Sequence, residues 1–238
     1  MSEIRNLEPK LLWKYFDEIT QIPRPSKKEK KMIEYMKKFG AEHGLETIVD
    51  QAGNVIIRKP ATKGMENRKG IIMQGHLDMV PQKNSDKVFD FEKDPIETWI
   101  DNGWVRAKGT TLGADNGIGV AAAMAVLTDP NIKHGPIEAL FTIDEETGMT
   151  GANELKPGIL KGEILVNMDS EDEGELYVGC AGGIDVSARR DYKSEKTPDG
   201  VTAYNVTLKG LRGGHSGVDI NLGRGNANKL MFRFCQQA

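Results

Sequence analysis

Leu11, Leu12, Tyr15, Phe16 and Ile19 recur at helical spacing behind Pro9, the pattern of an amphipathic helix with proline in its first turn. Pro23 and Pro25 end it. A second stripe, Met32, Ile33, Met36 and Phe39, follows Ser26 and Glu29, whose spacing predicts a capping box, and Gly44 marks its end. The period then changes. Leu45 to Val49 and Val55 to Arg58 flank a polar stretch at 50–54, while Trp99-Ile100 and Trp104-Val105 flank Asp101-Asn102-Gly103, and both read as hairpins. Gly70 to Met73, Ile137 to Ile143 and Glu163 to Met168 are largely apolar runs, as expected for strands buried on both faces. An Ala- and Gly-rich helix at Asn116 to Leu127 and a shorter one near Gly151 to Leu155 separate them, giving the order βαβαβ of an α/β domain.

The patterning shifts after about Gly183. Ile184 to Tyr192 and Ala203 to Leu208 alternate like half-exposed strands, and Asn226 to Gln237 is helical. Two domains are expected, 1–183 and the start of an α+β domain at 184–238. Two strands and one helix can hardly bury a core of their own.

Composition narrows the partners. A chain of 238 residues can bury one full core with room for a second, smaller unit. Its net charge of −3, with Lys and Glu evenly mixed, leaves no basic stripe for a phosphate backbone, so no nucleic acid is expected. No stretch approaches the roughly 20 apolar residues of a membrane helix, and the N-terminus lacks a signal-peptide core, so a cytoplasmic protein with no membrane association is expected. Cys180 and Cys235 are far apart and are expected to be small buried thiols.

The chemistry concentrates at four places where a metal-binding or acidic residue follows an apolar run: Gly75-His76-Leu77-Asp78, Ala114-Asp115-Asn116-Gly117, Asp144-Glu145-Glu146 and Met168-Asp169-Ser170. Parallel strands of an open sheet share one carboxyl edge, so residues just beyond it converge on one crevice. A histidine and several carboxylates collected there make a metal site. Taken singly, each has a plainer explanation: a histidine bonded in a turn, an aspartate capping a helix, a solvated acidic pair. His76 and Asp78, two apart, point the same way if strand geometry continues. Adjacent Glu145 and Glu146 cannot point identically, which lets one bind metal and the other move protons. His43 and His134 read as surface residues, whereas His215 lies in Gly213-Gly214-His215-Ser216-Gly217, where glycines let the backbone present the imidazole to a ligand. There is no Gly-x-Gly-x-x-Gly, Walker lysine, Gly-x-Ser-x-Gly or His-Glu-x-x-His pattern.

Together the four strings resemble the co-catalytic zinc aminopeptidase, dipeptidase and aminoacylase group. Val80-Pro81-Gln82-Lys83-Asn84, Glu171-Asp172-Glu173-Gly174-Glu175 and Leu211 to Ile220 narrow the likeness to the aminoacyl-histidine dipeptidases, over about the first half of such an enzyme. The resemblance implies a three-layer catalytic domain with a mixed, largely parallel sheet, followed by the start of a lid domain. It implies that His76, Asp115, Glu146 and Asp169 bind two zinc ions, Co2+ or Mn2+ being alternatives, with Asp115 bridging. It further implies that Asp78 orients His76, that Glu145 is the general base, that Asp115-Asn116 is a cis peptide, and that His215 contacts the substrate carbonyl. Homodimerisation through the lid is an expectation from the same source. The group draws a last zinc-binding histidine from beyond the lid, and none of His43, His134 or His215 matches it. Three readings therefore stand at this point: a metal-dependent dipeptidase for Xaa-His and related unblocked dipeptides, an aminoacylase-like amidohydrolase, and a catalytically silent binding or dimerisation module.

Overall fold

The computed structural model describes all residues except 1, 171, 181, 183, 185, 215–218 and 238. The chain divides into two compact units, Met1–Cys180 and Ala181–Ala238. In the first, helices α1 (Lys10–Thr20) and α2 (Lys30–Glu42) precede the hairpin strands β1 (Glu46–Val49) and β2 (Val55–Lys59). Then come β3 (Ile71–His76), the small hairpin β4 (Thr98–Asp101) and β5 (Trp104–Ala107), helix α3 (Ala114–Thr128), β6 (Ile137–Thr142), short helices α4 (Glu145–Gly148) and α5 (Thr150–Glu154), and β7 (Ile164–Asn167).

Five strands form one sheet in the order β1-β2-β6-β3-β7. β2 is antiparallel to both neighbours, and β3 is parallel to β6 and β7, so four of the five strands point the same way. The sheet is thus mixed and largely parallel in an α/β fold. Both hairpins form where the sequence places them. Asp50 Oδ1 accepts the N–H groups of Ala52, Gly53 and Asn54, closing the first turn. Asn102 and Gly103 both take positive φ, +48° and +84°, as a two-residue hairpin turn requires.

Side-chain alternation divides the sheet into two faces. Val55 and Ile57, Met73, and Ile137, Ala139 and Phe141 face Phe16, Ile19, Met32, Met36, Phe39, Val120, Met124 and Leu127 from α1, α2 and α3. Each such buried large side chain stabilises the fold by about 1.5–3 kcal/mol relative to exposure. The other face carries Ile56, Ile72 and Leu140 beneath Ile48, Leu155, Ile159 and Leu160. Beside that cluster runs a cross-strand charge row: Arg58 Nε donates to Glu138 Oε1 at 2.8 Å and Nη1 to Glu46 Oε1 at 2.9 Å. The other Glu138 oxygen accepts the Lys161 and Gly162 N–H groups, at 2.6 and 2.7 Å, and so holds the segment leading into β7.

Several expectations are corrected. Ser26 and Glu29 form no capping box: Glu29 Oε1 accepts from Lys27 and Asp144 N–H, and the Ser26 hydroxyl donates to Asp78. β7 is an exposed edge strand among the described residues rather than a strand buried on both faces, with Leu165 54% exposed. His134 is buried, its Nδ1 2.7 Å from Gly135 O, because its segment packs against Thr62. In the second unit, the described residues of 184–192 and 203–208 pair in no ladder, and the ordered elements are a 3-10 turn (Ile220–Leu222) and helix α6 (Ala227–Gln237). With no sheet neighbour, alternation alone does not make a strand. Cys180, at the end of the first unit, and Cys235 are exposed rather than buried, as are Phe232 and Phe234 of α6, which no described residue of the second unit encloses.

Removing the Glu138 carboxylate leaves Arg58 Nε and two N–H groups without their partner. Glu138→Ala is expected to destabilise the first unit by about 3 kcal/mol, whereas Glu34→Ala, which breaks only the exposed pair with Lys37, is expected to cost about 0.5 kcal/mol or less. Urea unfolding of the two variants checks the contrast.

Candidate metal centre

The parallel register levels the carboxyl ends of the central strands: His76 closes β3 opposite Thr142 of β6, and Asn167 of β7 lies beside Gln74. Residues just past these ends meet on one side. His76 and Asp78 are fully buried beneath a more open rim, with the Asp115 side chain 45% exposed, Glu145 35% and Asp169 26%. His76 Nε2 lies 2.9 Å from Asp115 Oδ1, 3.7 Å from Asp169 Oδ2 and 4.0 Å from Glu145 Oε2. Ligand atoms of His76, Asp115 and Glu146 all fall within 4.8 Å of one another.

Asp78 organises the floor. Its Oδ1 is 3.2 Å from His76 Nδ1 and accepts the Glu145 N–H at 3.0 Å; its Oδ2 accepts the Ser26 hydroxyl at 2.7 Å and the Glu146 N–H at 3.2 Å. The glutamate pair follows a sharp turn at Asp144, a non-glycine residue at φ +52°. That unfavourable backbone is held by Glu29 Oε1, which accepts the Asp144 N–H at 3.0 Å, and by the Thr147 and Thr150 hydroxyls, which donate to the Asp144 carboxylate.

Gly113, not Asp115, holds the N-cap position of α3. Gly113, at φ +71°, precedes the first turn of α3, and Asp115 and Asn116 depart from helical angles with a cis peptide between them. Asn116 then turns its amide inward: Nδ2 donates to Met168 O at 2.9 Å and Asp169 Oδ1 at 2.6 Å. The amide fits because Gly75 and Gly119 lack side chains, since a Cβ on either would clash with its oxygen. The sequence reading did not single out Asn116, although the glycines around it signalled close packing.

The charges are mutually strained. Burial pulls the His76 imidazole down, but its hydrogen bonds to Asp115 and Asp78 and the charge of Asp169 outweigh burial and lift it to about 10. Burial pushes Asp78 up, and the opposing bonds from His76, the Glu145 N–H and Ser26 bring it down to about 2. Burial and then the charge of Asp115 raise Glu146 to about 7. Asp169 rises to about 6, chiefly from burial, with Asp115 adding to it against the pull of His76. Carboxylates that hold protons near neutrality for want of countercharge fit a divalent cation, which would replace those protons. His215 lies outside the described residues.

The Asp78 shift fixes a pH dependence. Its folded value lies below the ordinary 3.8, so its contribution is present above about pH 4 and is lost as pH falls toward 2. Asp78→Asn is expected to destabilise the first unit by about 2 kcal/mol at pH 7, and the deficit should shrink between pH 4 and pH 3. Denaturant titrations of both proteins across that range measure it.

The chain is 55% identical over 234 residues to a cytosol non-specific dipeptidase of Escherichia coli (strain K12), matching 98% of this chain and 48% of that protein. The crystal structure of an aminoacylhistidine dipeptidase from Vibrio alginolyticus superposes with a TM-score of 0.75 at 53% identity, again over 98% of this chain and 48% of the other. The aminopeptidase PepT from Bacillus cereus ATCC 10987 gives a TM-score of 0.58 at 28% identity, over 68% and 44% of the two chains. The chain thus spans about half the length of the relatives it matches. The model of peptidase family M20/M25/M40 matches residues 72–216, which include the His76, Asp115, Glu145-Glu146 and Asp169 strings, and the chain belongs to that family.

Proposed function

We propose that this chain carries the metal centre of a dipeptidase that hydrolyses Xaa-His and related unblocked dipeptides. The observation that supports it best is the convergence of a buried imidazole and carboxylates from separate segments on one sheet edge, with three ligand groups already at mutual metal-binding distance. The likeness to a cytosol non-specific dipeptidase and to an aminoacylhistidine dipeptidase supports the substrate class. On this reading His76, Asp115, Glu146 and Asp169 would hold two divalent ions, zinc first among them. Bound there, such ions polarise a carbonyl and lower the pKa of water.

The protein's own groups divide the remaining work. Asp78, bonded to Nδ1, keeps the His76 ring turned so that Nε2 faces the ligands. Asn116 holds one Asp169 oxygen and leaves the other toward His76. Glu145, at the rim, is the general base that takes a proton from the attacking water and returns it to the leaving amine. Residues 1–183 are then the catalytic domain and 184–238 the first part of a lid whose His215 steadies the developing oxyanion. Pairing through that lid, and a cytosolic location like that of the Escherichia coli relative, complete the proposal. No helix among the described residues is long and apolar enough to cross a membrane.

Two measurements test the reading. Among the described residues the donors would be one imidazole and three carboxylates, fewer protein ligands than two zinc sites normally have. Elemental analysis after zinc loading is therefore expected to find about one tightly held zinc per chain, and none would sink the metal centre. Glu145→Gln is expected to retain metal while turnover of dipeptides falls about 10³-fold. In a substrate panel, preference for N-acyl amino acids over dipeptides would reject the dipeptidase in favour of an amidohydrolase.

A further inference from the structure

We propose that Arg24 is a positioning residue that sets the distance between His76 and Asp115 by clamping the loop after β3 to the turn that opens α3; this rests on the metal-centre reading above. Arg24 sits between two prolines on the segment joining α1 and α2 and is only 2% exposed. Its Nη1 donates to Leu77 O at 2.9 Å and Asp78 O at 2.7 Å, and its Nη2 donates to Gly113 O. Its own carbonyl accepts the Met79 N–H at 3.1 Å. One planar guanidinium therefore spans the two segments that carry His76 and Asp115, with its backbone tied to the first.

Two glycines are explained by this side chain. A Cβ on Gly117 would stand 2.7 Å from Arg24 Nη2, and one on Gly113 would also crowd that nitrogen. Gly113-Ala114-Asp115-Asn116-Gly117 is thus shaped on one side by the guanidinium. The fork matters as well as the charge, because a lysine ammonium is a compact point donor on a different stem and cannot reproduce a planar span between two loops. Arg24 also faces the charges of Asp78, Asp115 and Glu146, so it offsets part of the carboxylate repulsion from below. Burial lowers its pKa to about 10, which still leaves it charged at neutral pH.

Cobalt(II) titration of the full chain, following the visible absorption envelope and the dissociation constant by chelator competition, tests the clamp in Arg24→Lys and Arg24→Met, with circular dichroism to establish folding. Arg24→Lys is expected to fold, to bind cobalt at least tenfold more weakly, and to show a changed envelope. If Arg24→Met does not fold, Arg24→Lys decides. Unchanged affinity and spectrum in a folded variant, even one with a lowered melting temperature, would show that Arg24 merely stabilises the fold and would overturn the proposal. If the unsubstituted chain takes up no cobalt, the metal-centre reading itself fails and the clamp falls with it.

Discussion

An ionised carboxylate survives burial only when its oxygens are fully hydrogen-bonded, and Asp78 meets that condition through three parts of the chain. His76 lies beside it at the end of β3, Ser26 approaches from the segment before α2, and the Glu145 and Glu146 N–H groups come from beyond β6. The carboxylate thereby joins the ends of two parallel strands that pair directly only as far as His76 and Thr142. Remove it, and a hydroxyl and two helix-opening N–H groups lose their partner together, while the buried imidazole loses one of the groups that orient it. The arrangement of the acidic rim depends on this bond set more than on any contact within the rim.

The rim itself is electrostatically uncomfortable. Asp115, Glu145, Glu146 and Asp169 crowd one imidazole, and the structure answers by retaining protons: on His76, whose pKa is about 10, and partly on Glu146 and Asp169 near neutrality. The carboxylates are held together by the sheet edge, the glycine-lined turn of α3 and the one imidazole they share, not by attraction for one another. Backbone hydrogen bonds and core packing elsewhere sustain a cluster that like charges would otherwise spread.

Much of this was legible in the chain. Apolar runs located β3 and β6, the polar pentapeptide at 50–54 and Asp101-Asn102-Gly103 located the hairpins, and the position of acidic residues just past apolar runs pointed to a common edge. What escaped the reading was set by tertiary partners. Ser26 and Glu29 have capping-box spacing, yet Asp78 and the Asp144 N–H compete for them and win. Arg24 resembled any polar residue beside prolines, because a side chain that bonds to backbone carbonyls leaves no complementary residue type to notice. β7 has the composition of a buried strand, but burial depends on what lies beside it, which no local pattern records.

β7 is paired on one side only, through β3, and its other edge presents free backbone groups among the described residues. Asp169 follows two residues after that strand, so one member of the rim is carried by an edge of the sheet, where local opening is easier than at its centre. Each excursion of β7 away from β3 draws Asp169 away from His76, while the Asn116 amide resists from the other side. Whatever stiffens the outer edge of β7 therefore also sharpens the site, and strand dynamics at the sheet margin become a determinant of how firmly a cation is held.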